Sequence, residues 1–286
     1  MSDDGRQGLT IIAFIGSVFS PYYGWSADKD PFAHCAMNVV LYGDRTRFAM
    51  TERGAASLSR SRHSVAIGRS AMAWDGTTLT IRTDERGAPL PRRVRGTVRL
   101  TPRGFTSGPF QLDPNGRHRW WPMAPSSRVE VELDQPNLRW TGSGYFDTND
   151  GDEPLGSAFT RWTWCRADLP DGAAILYDVR HRNGGGQNLS LRFSHDGSRR
   201  EIRPPLAAPL PSTSFWRMPR ETRSDDGRAR VLTTFEDTPF YSRSLLASTL
   251  AGEPVRAVHE SLSLDRFRNP LVQLMLPFRM PRPYAG

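Results

Sequence analysis

Short runs in which apolar and polar residues alternate dominate the chain. Val129, Val131 and Leu133 take one parity while Glu130 and Glu132 take the other, the period of two that marks a strand with one face buried. Leu79, Ile81 and Thr83 repeat it just after the hairpin signal Asp75-Gly76. Leu189, Leu191 and Phe193 repeat it before the turn residues His195-Asp196-Gly197. Turn signals recur roughly every 8 to 12 residues, the rhythm of a β-sandwich or barrel. Helix is expected only in short pieces, near Ser244 to Leu250 and near Pro270 to Leu276. The pattern predicts an all-β protein.

Two stretches lack the alternation and read as linkers: Gly142 to Ser157, rich in Gly, Asp and Asn, and Arg203 to Ser214, rich in Pro. The first lies near the midpoint. It divides the chain into an N-terminal β domain over residues 1–143, a linker over 144–156 and a C-terminal β domain over 157–286. A cleft between two such domains is the default place for a ligand.

Composition changes this picture little. With 286 residues the chain buries a sizeable core, and 25 Gly with 23 Pro fit dense turns rather than long helices. The formal charge of +8 raises the question of nucleic acid, but Lys29 is the only lysine and the arginines are interleaved with acids, as from Arg217 to Arg228. That distribution reads as a solvated arginine-rich surface, and no nucleic-acid partner is expected. Cys35 and Cys165 stand far apart in no metal or disulfide spacing, which makes a reducing cytoplasm the default. The chain begins with the acidic run Met1-Ser2-Asp3-Asp4, unlike a secretory signal. The apolar stretch Leu9 to Phe19 is too short to cross a bilayer, so membrane contact is expected to be peripheral.

Familiar chemical signatures are missing. There is no dinucleotide fingerprint, P-loop, zinc-protease motif or nucleophile elbow. The run Asp147 to Glu153 resembles a calcium loop, but its glycine comes one residue early for an EF-hand, and a polar turn is the stronger reading. No metal site is expected. What stands out is a concentration of rings and ionisable groups: His118, Trp120, Trp121, Trp140, Tyr145, Asp147, Trp162, Trp164, Tyr177 and Asp178. On strands, His118 shares a face with Trp120, Tyr145 with Asp147, and Trp162 with Trp164. Tryptophan-rich strands are ordinary core and an aspartate is ordinarily a turn cap, so spacing alone ends at a candidate apolar pocket with one acid in it.

Particular strings go further. Phe14-Ile15-Gly16-Ser17-Val18-Phe19-Ser20-Pro21-Tyr22-Tyr23, His34-Cys35-Ala36-Met37-Asn38, Arg47 to Gly54, His118-Arg119-Trp120-Trp121-Pro122, Gly144-Tyr145-Phe146-Asp147 and Phe159 to Trp164 resemble the carotenoid 1,2-hydratases of purple photosynthetic bacteria, also called hydroxyneurosporene synthases. The resemblance reaches Leu276-Pro277-Phe278 and covers nearly the whole chain. It implies two packed lipocalin-like antiparallel β-barrel or sandwich domains with an apolar pocket between them. It also implies a cofactor-free hydro-lyase that adds water across the terminal C1=C2 bond of an acyclic carotene such as neurosporene or lycopene. Carried over residue by residue, the family's acid is Asp147, with Tyr145, His118 and Trp120 beside it.

A mechanism is expected on these grounds. Burial among rings keeps Asp147 protonated so that it protonates C2. The ring faces of Trp120 and Tyr145 then support the tertiary cation at C1, and neutral His118 orients water or accepts its proton. Trp121, Trp162, Trp164 and Tyr177 are the expected substrate-binding residues, and Asp178 is the rival acid. The expected partners are the carotene, water, the inner or intracytoplasmic membrane surface and other carotenoid enzymes. A non-catalytic isoprenoid carrier and a protonation-initiated cyclase share the fold and remain alternatives.

Overall fold

The computed structural model describes residues 1–283. Its strands are antiparallel, as expected where tight turns rather than crossover helices join alternating segments. A three-stranded sheet holds β1 (Gly8–Ile15), β2 (Cys35–Tyr42) and β3 (Arg47–Arg53) in sequence order. The next sheet holds β4 (Leu58–Arg60), β5 (Ser64–Ile67), β6 (Ser70–Trp74), β7 (Leu79–Arg86), β8 (Arg93–Pro102), the short β9 (Phe110–Gln111), β10 (His118–Gln135) and β11 (Leu138–Gly151). It runs β11-β10-β8-β7-β6-β5-β4, with β9 paired to β10.

Another sheet is built from β12 (Phe159–Leu169), β13 (Gly172–His181), β14 (Gly186–Ser194) and β15 (Arg199–Glu201). After a two-stranded ribbon of β16 (Leu206–Leu210) and β17 (Arg220–Ser224), it is completed by β18 (Arg230–Asp237), β19 (Tyr241–Leu250) and β20 (Glu253–Ser263). The order is β15-β14-β13-β12-β20-β19-β18, and no sheet among the described residues closes into a barrel. Helices are limited to short pieces: α1 (Pro21–Trp25), α2 (Leu155–Ala158), α3 (Leu264–Phe267) and α4 (Pro270–Met275), with short 3-10 turns that include Leu276–Phe278. Among the described residues no helix is long and apolar enough to cross a membrane.

Contacts group the chain into two compact units that interleave in sequence, where the sequence reading expects successive blocks. The first holds Met1–Pro102, Arg128–Gly144 and the described residues from Gln273 on. The second holds Arg103–Ser127 and Tyr145–Val272. In the first, β2 is buried along its whole length, and β1 pairs with it residue for residue from Gly8↔Tyr42 to Ile15↔Cys35. The apolar stretch at Leu9 is thereby a sheet strand. Tyr23, His34 and Glu52, one from each N-terminal string quoted above, meet there. The Tyr23 ring packs 4.9 Å from that of His34, and His34 Nδ1 lies 2.7 Å from Glu52 Oε1. Arg282 pairs with the same carboxylate and donates to the Ala33 carbonyl, clipping the C-terminal segment onto this unit.

Two expectations need correction. Ser244 to Leu250 is not helical: it lies in β19, paired from Tyr241↔Leu262 to Leu250↔Glu253 with β20 and with β18 on its other edge. Ser242 to Leu246 are buried without alternation, so the period of two does not show there. Nor is the segment 144–156 a linker, since Gly144 to Gly151 continue β11. Its Asp and Asn residues look like turn formers because the strand end is partly solvated. The Pro-rich stretch Arg203 to Ser214 likewise contains β16. The short helix expected near Pro270 is present as α4. Cys35 and Cys165 are both free and buried.

Candidate active site

The starting strand is β10, whose burial alternates along its first residues so that His118 and Trp120 face inward while Arg119 and Trp121 are half-buried on the other face. Trp120 is fully buried. From β9 it receives Phe110, its register partner, which stacks on it with ring centroids 5.6 Å apart. The Trp120 indole N–H donates to Asp147 Oδ2 at 3.0 Å and to the Tyr145 hydroxyl oxygen at 3.1 Å. Tyr145 and Asp147 stand two residues apart on β11, hence on one face. A second donor, the Asn149 amide, approaches the same Oδ2 at 3.4 Å.

The sheet of the second unit supplies the facing wall. Its register places Trp164 opposite Tyr177 on β13 and opposite Glu260 on β20, and Trp162 opposite Leu262. These side chains therefore share a face. Tyr145 packs on Trp164 at 5.2 Å between centroids, and Trp120 meets Tyr177 edge-on at 5.2 Å. Trp162 reaches Tyr177 at 6.4 Å and Phe159 at 6.3 Å. Phe159 in turn packs 4.9 Å from His118. Arg166 approaches the Tyr145 ring at 5.7 Å. The buried indole nitrogen of Trp164 has no hydrogen-bond partner in the protein.

This enclosure sets the protonation states. Asp147 keeps a partly exposed surface, yet burial outweighs the hydrogen bonds from Trp120 and Tyr145 and pushes its carboxyl up to about 6, with a further upward push from the Glu260 charge. Burial, with the neighbouring Asp147 carboxylate, holds the Tyr145 hydroxyl well above the ordinary tyrosine range. Tyr177 is pushed up for the same two reasons. Burial lowers the His118 imidazole, against the opposing pull of Asp113 and Glu153. At neutral pH His118 is therefore uncharged.

Of the residues singled out in the sequence, Trp120, Tyr145, Asp147, Trp162, Trp164 and Tyr177 come together in one ring-lined cluster within the second unit. His118 belongs to its margin. It is 2% exposed, packs against Phe159, and has Nε2 3.5 Å from Glu153 Oε1, too long for a well-formed hydrogen bond. Gly151 matters here, because a Cβ at that position would lie 2.5 Å from His118 Nδ1. Trp121 is not brought to the cluster; strand alternation turns it away, and its indole donates to Thr106 Oγ1 at 2.9 Å. Asp178, the rival acid, pairs with Thr163 in register and so faces the opposite side of the sheet. There Arg223 holds it in an ion pair at 2.8 Å and Asn188 donates to it at 2.9 Å.

The carboxylates of the calcium-like run are committed elsewhere: Asp150 to Arg119, and Glu153 to Arg117 at 2.9 Å. Among the described residues no group of three metal-ligating side chains forms. Sequence reasoning missed Glu260 and its ion-pair partner Arg243. A signal was there, because Val258, Glu260 and Leu262 alternate on one strand face and put a lone charge on an otherwise apolar row. Two surface depressions in the first unit, one near Arg53 and Arg93 and one near Trp25 and Arg282, contain no residue of this cluster.

Comparison with known proteins bears on what such a cluster does. The family model described as "Carotenoid hydratase CrtC" matches residues 11–285. The acyclic carotenoid 1,2-hydratase of Thiocapsa roseopersicina is 54% identical over 287 residues, which cover 99% of this chain and 71% of that protein. The enzyme of the same name from Cereibacter sphaeroides is 44% identical, with 95% of this chain and 98% of that protein covered. Among solved structures, a putative AttH from Nitrosomonas europaea superimposes with a TM-score of 0.64 at 15% identity, covering 92% of this chain and 88% of that one. That likeness is one of fold.

Proposed function

The chain belongs to the carotenoid hydratase family, and from that premise we propose that it adds water to the terminal C1=C2 bond of an acyclic carotene, with Asp147 as the acid. One observation carries this reading. A single carboxyl, raised to about 6 by burial, sits within hydrogen-bond reach of Trp120 and Tyr145 in a wall of aromatic rings.

An isolated trisubstituted alkene is a weak base, so the reaction needs a protonated acid aimed at it. In the proposed step the Asp147 O–H bond breaks, its proton joins C2, and the π pair becomes the new C–H bond. The tertiary cation left at C1 lies among the faces of Trp120, Tyr145, Trp164, Tyr177 and Trp162, each worth roughly 0.5–2 kcal/mol to a nearby cation. Water then attacks C1, and the proton it sheds returns to the Asp147 carboxylate. Catalysis is balanced without a redox step. The unpartnered Trp164 N–H is the donor placed to hold the incoming water or the product hydroxyl.

His118 acts in this reading as a positioning residue. Neutral and packed against Phe159, it fixes the end of the ring wall where Trp162 begins. The carotene itself is a long apolar polyene held in a bilayer rather than in water, so the enzyme meets it at a peripheral membrane surface. Incubation of the purified protein with neurosporene or lycopene in heavy water tests the proposal. A hydratase gives a product heavier by one water, with one non-exchangeable deuterium at C2. An isomer of the substrate would mark a cyclase and unchanged substrate a carrier, and either result would end the hydratase reading.

A further inference from the structure

The segment that follows β20 turns its apolar side outward. Leu271, Leu274 and Met275 share one side of α4 and Phe278 follows in the 3-10 turn Leu276–Phe278, a stripe that in a water-soluble protein packs on the core. Here Leu271 is 72%, Leu274 62% and Phe278 73% exposed, while Leu276 on the inner side is buried. Scattered single apolar residues on a surface need no explanation, but a contiguous stripe marks a contact site. From Arg266 to Pro283 the chain carries Arg266, Arg268, Arg279 and Arg282 and no acidic residue. Arg268 and Arg279 are exposed at either end of the stripe.

A second exposed ring is fixed near its start. Arg266 of α3 donates to the carbonyls of Trp216 at 3.0 Å, Pro239 at 3.3 Å and Arg217 at 3.2 Å. It thus ties the loop bearing Phe215, which is 77% exposed, to the helix. The two acids nearest this junction are occupied: Asp237 accepts the Phe215 backbone N–H at 2.8 Å and Asp265 pairs with Arg182 at 2.8 Å. Along the stripe itself what faces solvent is apolar and cationic, with Asp265 exposed but ion-paired beside it.

We infer that the stripe Leu271, Leu274, Met275 and Phe278, with Arg268 and Arg279, docks the enzyme on an anionic lipid surface. Rings and aliphatic side chains enter the headgroup boundary while the arginines meet lipid phosphates, the arrangement of an interfacial helix. Position adds a reason. Ser263, the residue before α3, pairs with Arg161 in the register that brings Trp162 beside Leu262. The segment therefore leaves its sheet beside Trp162. This inference deepens the hydratase reading and rests on it for the identity of the cargo, but not for the lipid contact.

The test uses flotation of the full chain with vesicles of phosphatidylcholine alone and with about a third of the lipid replaced by phosphatidylglycerol. Parallel assays follow hydration of lycopene in detergent and in those vesicles. The wild type floats with the anionic vesicles, and Arg268→Gln with Arg279→Gln weakens binding by about fivefold per charge. The triple variant Leu271→Ser, Leu274→Ser, Phe278→Ser loses flotation and turnover of vesicle-held lycopene by about tenfold or more, yet keeps the wild-type rate in detergent. A wild type that ignores anionic vesicles, or a triple variant that floats as well, overturns the docking surface. So does a wild-type dimer that the triple variant converts to monomer with no lipid binding by either. If no form hydrates lycopene even in detergent, the functional reading falls, and flotation still decides the surface.

Discussion

The indole N–H of Trp120 is shared between Asp147 Oδ2 at 3.0 Å and the Tyr145 hydroxyl oxygen at 3.1 Å. A donor aimed at a carboxyl favours its charged form, whereas burial favours the neutral one. At Asp147 burial prevails and leaves the group near 6. That balance makes the site an acid that reloads close to neutrality.

Asp147→Asn removes the proton donor and nearly nothing of the volume. Hydration falls by about three orders of magnitude or more, the scale of losing a general acid. The folded protein gains stability in the same variant. A group whose folded value is raised from 3.8 to about 6 costs stability once pH climbs through that window, here up to about 3 kcal/mol. Thermal melts at pH 5 and pH 8 should show the gain at both, about half as large at pH 5.

Rate should decline as pH rises through about 6, because the reactive form of Asp147 is protonated. Glu260→Gln removes a negative charge that raises Asp147, so the descending limb moves to lower pH. A pH–rate profile that shifts upward in this variant contradicts the electrostatic arrangement.

Trp120→Phe keeps a ring and deletes the N–H. With one donor gone the Asp147 carboxyl rises, and the descending limb moves to higher pH. The rate plateau still drops, by roughly tenfold, because the carboxyl loses its fixed orientation. The opposite directions of the Trp120 and Glu260 variants separate loss of a hydrogen bond from loss of a charge.

Asp178→Asn tests the rival acid. The structure holds Asp178 against Arg223 on the other face of the sheet, so hydration persists while stability drops by about 1–3 kcal/mol as the partly buried arginine loses its partner. Activity lost in a protein that still melts cooperatively would move the acid from Asp147 to Asp178.

His259 makes a prediction about acid stability. It is fully buried, donates through Nε2 to the Glu221 carbonyl at 2.8 Å, and is pushed by burial from 6.5 down to about 4. A histidine lowered in the folded state binds its proton more readily when unfolded. Stability is thus intact above about 6.5 and declines as pH falls toward 4. His259→Gln should flatten the melting temperature over that window.

Much of this was legible along the chain because a strand's side chains obey a period of two, whatever surrounds them. Alternation marked β10 and β14, and it also placed Tyr145 with Asp147 and Trp162 with Trp164. Where both faces are buried the alternation vanishes, and β19 passed for helix. Where a strand end is solvated its residues resemble a turn, and the last half of β11 passed for a linker. The same period explains why Trp121 leaves the cluster although it adjoins Trp120 in sequence.

The sequence by itself determined the β class, the ring-rich composition and the strings that mark the family, since each depends on residue identity and near neighbours. Only the tertiary structure decided which acid is buried and which is paired, that Glu260 stands opposite Trp164, and that Leu271, Leu274 and Phe278 face outward. Those facts depend on sheet register and on what lies across from each side chain. Pairing between residues as distant as Trp120 and Tyr177, or Trp164 and Glu260, leaves no mark in the local pattern of either strand.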